Sequence, residues 1–135
     1  MLLHSRPYNR LAEWIYALMR LAAGAFMMSH GLPKLMKLLD GAPYKFADPL
    51  GLGVFTSLLL AVFAEVFCAA LLAMGLFTRL ASIPLIVIMA VAAFVVHGDD
   101  PFGKKEMALL YLLIYLFIFA KGGGKLSIDR WLKRA

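Results

Sequence analysis

The sequence predicts an all-α protein, a four-helix transmembrane bundle, and three observations carry that prediction. The chain is 63% hydrophobic with a mean hydropathy of +0.83, well above the roughly half-apolar make-up of a soluble domain. Four apolar runs, at residues 14–32, 54–77, 80–97 and 106–120, are separated by turn-forming residues. At about 1.5 Å per residue they are long enough to cross a bilayer or come close to it. The formal net charge of +6 sits mainly at the two ends and in loops, not in a basic stripe interleaved with aromatics. It therefore reads as topology and lipid-headgroup attraction, with no nucleic-acid partner expected. All 135 residues make one four-span membrane domain.

Residues 1–13 are polar and basic, with Pro7 and Asn9, and belong at the interface. Span 1 opens on Trp14 and Tyr16, which favour the headgroup level. Arg20 interrupts what would be a signal-peptide core ahead of Ala23-Gly24-Ala25, and apolar residues continue to Met28, so no cleavage is expected. Pro33 is expected to end the helix near Leu32, leaving Lys34–Leu39 as a short interfacial helix and the remainder to Gly53 as turns. Span 2 holds over twenty apolar or small residues and a single charge, Glu65, near its centre. The connection Thr78-Arg79 is so short that spans 2 and 3 form an antiparallel hairpin. Pro84 falls in the opening turns of span 3, where a missing N–H is tolerated. Loop 98–105 is turn chemistry throughout. Span 4 is short, so Lys105 and Lys121 are expected to snorkel to the two interfaces. Gly122-Gly123-Gly124 ends it, and Ile128, Trp131 and Leu132 of the tail form an interfacial anchor. The positive-inside rule weighs Arg6, Arg10, Arg79, Lys121, Lys125, Arg130, Lys133 and Arg134 against Lys34, Lys37, Lys45, Lys104 and Lys105. It puts both termini in the cytoplasm.

Polar residues within the spans are the candidate chemistry, because a charge inside a bilayer is costly unless partnered. Arg20 and Glu65 lie at similar estimated depths, and small residues (Gly24 and Gly31 on span 1; Ser57, Ala61, Ala64, Cys68 and Ala73 on span 2) let the helices approach. A buried Arg20–Glu65 ion pair is expected, either as a structural clamp or as part of a protonatable, quinone-facing site. At the other surface, His30 closes span 1, His97 closes span 3 and Glu106 opens span 4, with Lys34 one turn beyond His30. These four form a candidate polar pocket fit to relay protons or hydrogen-bond a quinone carbonyl, the alternative being ordinary interface-level polarity. No metal is expected, since no HxxxH or HxxE pair lies on one helix. Tyr111 and Tyr115 are placed to stack on a ring or simply to pack. Cys68 is the single cysteine, so an internal disulfide is impossible and there is no CxxC. Nucleotide, flavin, serine-hydrolase and c-type haem motifs are absent as well.

In order along the chain come Arg20, then His-Gly-x-x-Lys (His30, Gly31, Lys34), Glu65, and Gly-Leu-x-Thr-Arg (Gly75, Leu76, Thr78, Arg79). His97, Glu-x-Ala-Leu-Leu-Tyr (Glu106–Tyr111) and Gly-x-Gly-x-x-Ser-x-Asp (Gly122, Gly124, Ser127, Asp129) follow. This ordered set, over about residues 15–130, resembles the DoxX family of small bacterial and archaeal membrane proteins. The resemblance implies a four-helix membrane protein linked to redox work. The family's namesake is a subunit of a thiosulfate:quinone oxidoreductase, and other members are associated with thiol and oxidative-stress systems. The leading expectation is a quinone-binding or docking subunit of such a system, an oxidoreductase subunit without a self-contained catalytic motif. Its partners are then the lipid bilayer, a soluble or membrane oxidoreductase and, in a homo-oligomer, its own copies. The alternatives are a small transport or permeability protein and a structural anchor for a soluble enzyme.

Overall fold

The computed structural model describes residues 10–134, and among them every regular element is helical. Four long helices, α1 (Arg10–Asp40), α2 (Val54–Met74), α3 (Thr78–Val96) and α4 (Phe102–Lys121), are followed by a short α5 (Ile128–Arg134). The first three are each long and apolar enough to cross a membrane. In α4, Lys104, Lys105 and Glu106 lie near one end and Lys121 at the other, with apolar residues between. The bundle is inside-out by soluble standards: Leu18, Phe26, Leu80, Phe94 and Leu113 are between 62% and 68% exposed. Such an apolar surface is stable in lipid and not in water.

Helix α1 packs most extensively on α2, α2 packs on α3 and α3 on α4, while the seam that closes α4 back onto α1 is the thinnest. Tyr115 bridges that seam from a fully buried position, its hydroxyl donating to the Ala23 carbonyl at 3.1 Å. Met27, Leu58, Leu72, Leu85 and Ile118 fill the interior. The α1–α2 contact is backbone to backbone. A Cβ on Gly24 would lie 2.6 Å from the Ala69 carbonyl oxygen, and one on Gly31 would lie 2.8 Å from backbone atoms of Glu65. Those two contacts fix the antiparallel register.

Helix α1 is the main departure from expectation. Pro33 does not end it, and the segment expected as a separate interfacial helix is its last turns. Proline removes one backbone donor, a loss membrane helices tolerate where neighbouring groups satisfy the freed carbonyl. Of the interfacial segment expected at residues 1–13, residues 1–9, Arg6 included, lie outside the described part. Two helices also contain a wide, π-helical turn: Phe63–Cys68 in α2, with Glu65 in its opening turn, and Ala92–Val96 in α3, just before His97. The α2–α3 connection is the tight hairpin expected. Leu76 N–H bonds the Leu71 carbonyl at 2.9 Å and Gly75 N–H bonds that of Leu72 at 3.1 Å. Gly75 has φ 72°, a left-handed stop that suits glycine.

Candidate functional site

Two polar centres occupy the bundle, and neither has the pairing expected from depth alone. Arg20 and Glu65 do not meet. The Gly31–Glu65 contact sets Glu65 opposite the second half of α1, whereas Arg20 sits beside Ala73 and Gly75, at the far end of α2. Lys34 takes the place expected for Arg20. Its Nζ lies 2.6 and 2.8 Å from the two Glu65 carboxylate oxygens, with side chains 29% and 2% exposed respectively. From residue 20 to residue 34 a helix rises about 21 Å, which is the size of the misplacement. Lys34 reaches inward from the loop side, and the Phe46 ring of the 41–53 segment lies over its ammonium at 5.7 Å. The wide turn at Phe63–Cys68 holds the backbone around Glu65; such turns occur often at functional positions.

The expected pocket of His30, Lys34, His97 and Glu106 resolves into separate surroundings. Lys34 belongs to the Glu65 pair. His97 bonds Asp100 within its own turn, Nδ1 to Oδ2 at 2.8 Å. Glu106 is exposed, and no hydrogen bond or ion pair joins it to either histidine among the described residues. His30 is exposed and stands edge-on to the Tyr111 ring, with centroids 6.1 Å apart. Of the two tyrosines considered for ring stacking, Tyr111 and Tyr115 stack on each other at 5.8 Å. Tyr115 is wholly buried, so only Tyr111 is open to anything else. Tyr111 also lines an apolar groove of about 290 Å³ in the α1–α4 seam, walled by Met19, Ala22, Phe26, Met107 and Leu110. The groove exists because that seam is the thinnest of the four, and small side chains at Ala22 and Ala23 leave it open.

The second centre lies at the opposite end and draws on the glycine-rich tail. Arg20 is 5% exposed. It donates to the carbonyls of Gly123 at 2.5 Å, Leu126 at 3.2 Å and Ala73 at 3.4 Å, while its Nε is buried without a hydrogen-bond partner. Tyr16 donates to the Gly122 carbonyl at 2.5 Å. Glu13 accepts from Lys121 and from the Lys125 amide. Asp129 then performs a task the α3 sequence leaves undone. Phe77 occupies the residue before that helix and offers no capping oxygen. Asp129 Oδ1 instead accepts from Phe77 N–H at 2.7 Å, and Oδ2 accepts from Thr78 N–H at 2.9 Å and Thr78 Oγ1 at 2.7 Å. It is a helix cap supplied from a distant stretch of chain. An uncapped helix start facing a Gly-x-Gly-x-x-Ser-x-Asp tail was the available signal in the sequence.

This cap makes stability acid-sensitive in a defined direction. Burial raises the Asp129 carboxyl, but the hydrogen bonds from Thr78 and Phe77 and the charge of Arg20 outweigh it and hold it below the ordinary carboxylate value. A carboxyl lowered by folding contributes stability that is fully present above the unfolded value, about 3.9 for aspartate. That stability is lost as pH falls through the folded value. Melting in detergent is expected to show a loss of stability below about pH 4, and Asp129→Asn should shrink that loss. An unchanged acid limb in the variant would show that Asp129 does not link the tail to pH.

Fold and site together define a small, all-helical, multi-pass membrane protein with an ion pair buried between its first two helices. The chain belongs to the DoxX family, whose model matches residues 15–98. That match includes Arg20, His30, Lys34, Glu65 and Arg79, while the glycine-rich tail lies beyond it. An uncharacterized protein of Haemophilus influenzae is 31% identical over 134 residues, covering 92% of this chain and 90% of its own length. A second uncharacterized protein of the same organism is 28% identical over 75 residues, covering 53% of this chain and 50% of itself. No solved structure matches.

Proposed function

We propose that this protein is the quinone-binding membrane subunit of a redox system in the bacterial cytoplasmic membrane, with both termini cytoplasmic. The observation that carries the reading is the apolar α1–α4 groove, one of whose walls is Tyr111, with the exposed His30 ring standing edge-on to that tyrosine at 6.1 Å. Its volume, about 290 Å³, is near the lower bound of small-molecule sites. It fits a quinone ring, with the isoprenoid tail running on into lipid. The lining is apolar and takes the faces of the ring, and His30, exposed beside Tyr111, is the proposed hydrogen-bond donor to a ring carbonyl that projects beyond it. The quinone, when bound, supplies the electron acceptor. The chain's own residues bind the ring, keep water from its face and donate hydrogen bonds to its oxygen. Cys68 is the single cysteine and is buried, so dithiol chemistry needs thiols from another protein, and the donor enzyme is taken to be a partner.

The test is titration of a short-tailed ubiquinone analogue into the protein in lipid nanodiscs, followed by difference spectra. Ala22→Phe fills the groove and is expected to abolish binding without lowering the melting temperature. His30→Ala removes one hydrogen bond and should weaken binding about five-fold. Absence of binding by the wild type, or unchanged binding by both variants, would overturn the proposal.

A further inference from the structure

The tail end of the bundle holds a second, larger cavity of about 670 Å³, lined by Arg79, Lys121, Lys125, Arg130 and Lys133 together with the backbone of Gly122–Gly124. Two carboxylates, Glu13 and Asp129, also line it. Both are already engaged, Glu13 by Lys121 and the Lys125 amide and Asp129 by Phe77 and Thr78. Five cations against two carboxylates leave a surplus of three positive charges at the wall. Behind it, the buried Arg20 guanidinium adds another, since its hydrogen bonds go to carbonyls. Trp131 and Leu132 on the same tail are 68% and 48% exposed, which places the cavity mouth at the level where lipid headgroups lie.

We propose that this cavity binds a phosphate group, carried either by an anionic phospholipid headgroup or by a water-soluble phosphate ester. The guanidinium fork of Arg79, steadied by its bond to the Ala120 carbonyl at 3.3 Å, and that of Arg130 match phosphate oxygens in pairs. Lysines Lys121 and Lys133 add point charge. Gly122 and Gly124 have φ 82° and 81°, conformations that other residues rarely adopt, and the absent Cβ of Gly122 lets the Arg79 guanidinium lie close against the glycine backbone. The volume fits a headgroup-sized ligand rather than a bare ion.

The experiment uses the full chain in nanodiscs of phosphatidylcholine with a minor share of phosphatidylglycerol, and reads retained lipid by native mass spectrometry. Phosphatidylglycerol is expected to be retained in preference to phosphatidylcholine, and added salt should weaken the preference. Each cation near the surface is worth roughly five-fold in affinity, so Arg79→Gln with Arg130→Gln should lose about 25-fold. Arg79→Lys with Arg130→Lys should keep most of it. Lys37→Gln with Lys45→Gln, at the other end, should change nothing. A second arm titrates glycerol 1-phosphate. Displacement of retained phosphatidylglycerol identifies the headgroup as the source. Saturable binding of glycerol 1-phosphate without lipid retention identifies a soluble ester. Equal retention of both lipids with no binding of the ester, or a salt-independent preference in the wild type, overturns the proposal even if the glutamine variant folds poorly.

Discussion

Replacing Lys34 with methionine is expected to destabilise the protein more than replacing Glu65 with glutamine. The reason is the unequal burial of the pair. Lys34 is 29% exposed and sits on the loop side, whereas Glu65 is 2% exposed. Without Lys34, a carboxylate is left in an apolar interior with no cation in contact, and breaking a buried pair in that way costs about 3–5 kcal/mol. Without the Glu65 charge, the Lys34 stem swings outward and its ammonium reaches water. That loss should be nearer 1 kcal/mol, the scale of ordinary hydrogen bonds. The double variant, Lys34→Met with Glu65→Gln, removes both charges and should recover most of the larger loss, a non-additive result expected of residues in contact. Thermal melts of the three variants in one detergent decide it. Equal single losses, or a double variant that simply adds them, would show that the pair is not the interior clamp.

The second large effect is expected at the α1–α2 crossing. Gly31→Ala puts a methyl group 2.8 Å from the Glu65 backbone, and Gly24→Ala puts one 2.6 Å from the Ala69 carbonyl oxygen and Ala73 Cβ. Backbone cannot rotate away as a side chain can, so the helices must separate. Overpacking of this kind costs about 1–3 kcal/mol, and leucine at either position should prevent the bundle from closing. Gly103→Ala is the matched control, because nothing lies within 4 Å of a Cβ there. A Gly31→Ala protein that melts with the wild type would mean that the helices are held apart by more than these contacts.

The helical architecture was legible because it rests on composition and apolar run length, which need no partner to be read. The small residues were legible for the same reason: Gly24, Gly31 and Ala73 do lie where helices touch. The partner of Glu65 was not. A first span that stops at Pro33 has its middle near Arg20, but α1 runs on to Asp40 and its register against α2 is set by glycine contacts. The longer helix moves that middle by only about 6 Å, and the register set by those glycines accounts for the rest of the exchange of Lys34 for Arg20. The partners of Arg20 were hidden for another reason. They are main-chain carbonyls of Gly123, Leu126 and Ala73, and backbone groups leave no mark in a sequence. The wide turns were equally silent, since Phe63–Cys68 is as apolar as the residues around it.

The cap that Asp129 places on α3 has a consequence for the order in which the protein is made. The carboxylate that satisfies Phe77 and Thr78 lies 51 positions beyond Thr78 in the chain. Synthesis runs from the N-terminus, so α3 and α4 are both complete before Asp129 exists. Until then the first turn of α3 has open amide donors at the end of a tight hairpin, where water or headgroups must hold them. The α2–α3 hairpin therefore enters the membrane on its own packing and its Gly75 turn. Arrival of the tail then satisfies three donors and, through Gly123 and Leu126, the Arg20 guanidinium as well. Quality control that samples nascent membrane proteins would meet this bundle with an arginine still lacking those two carbonyls, and would see that exposure vanish in a single late step.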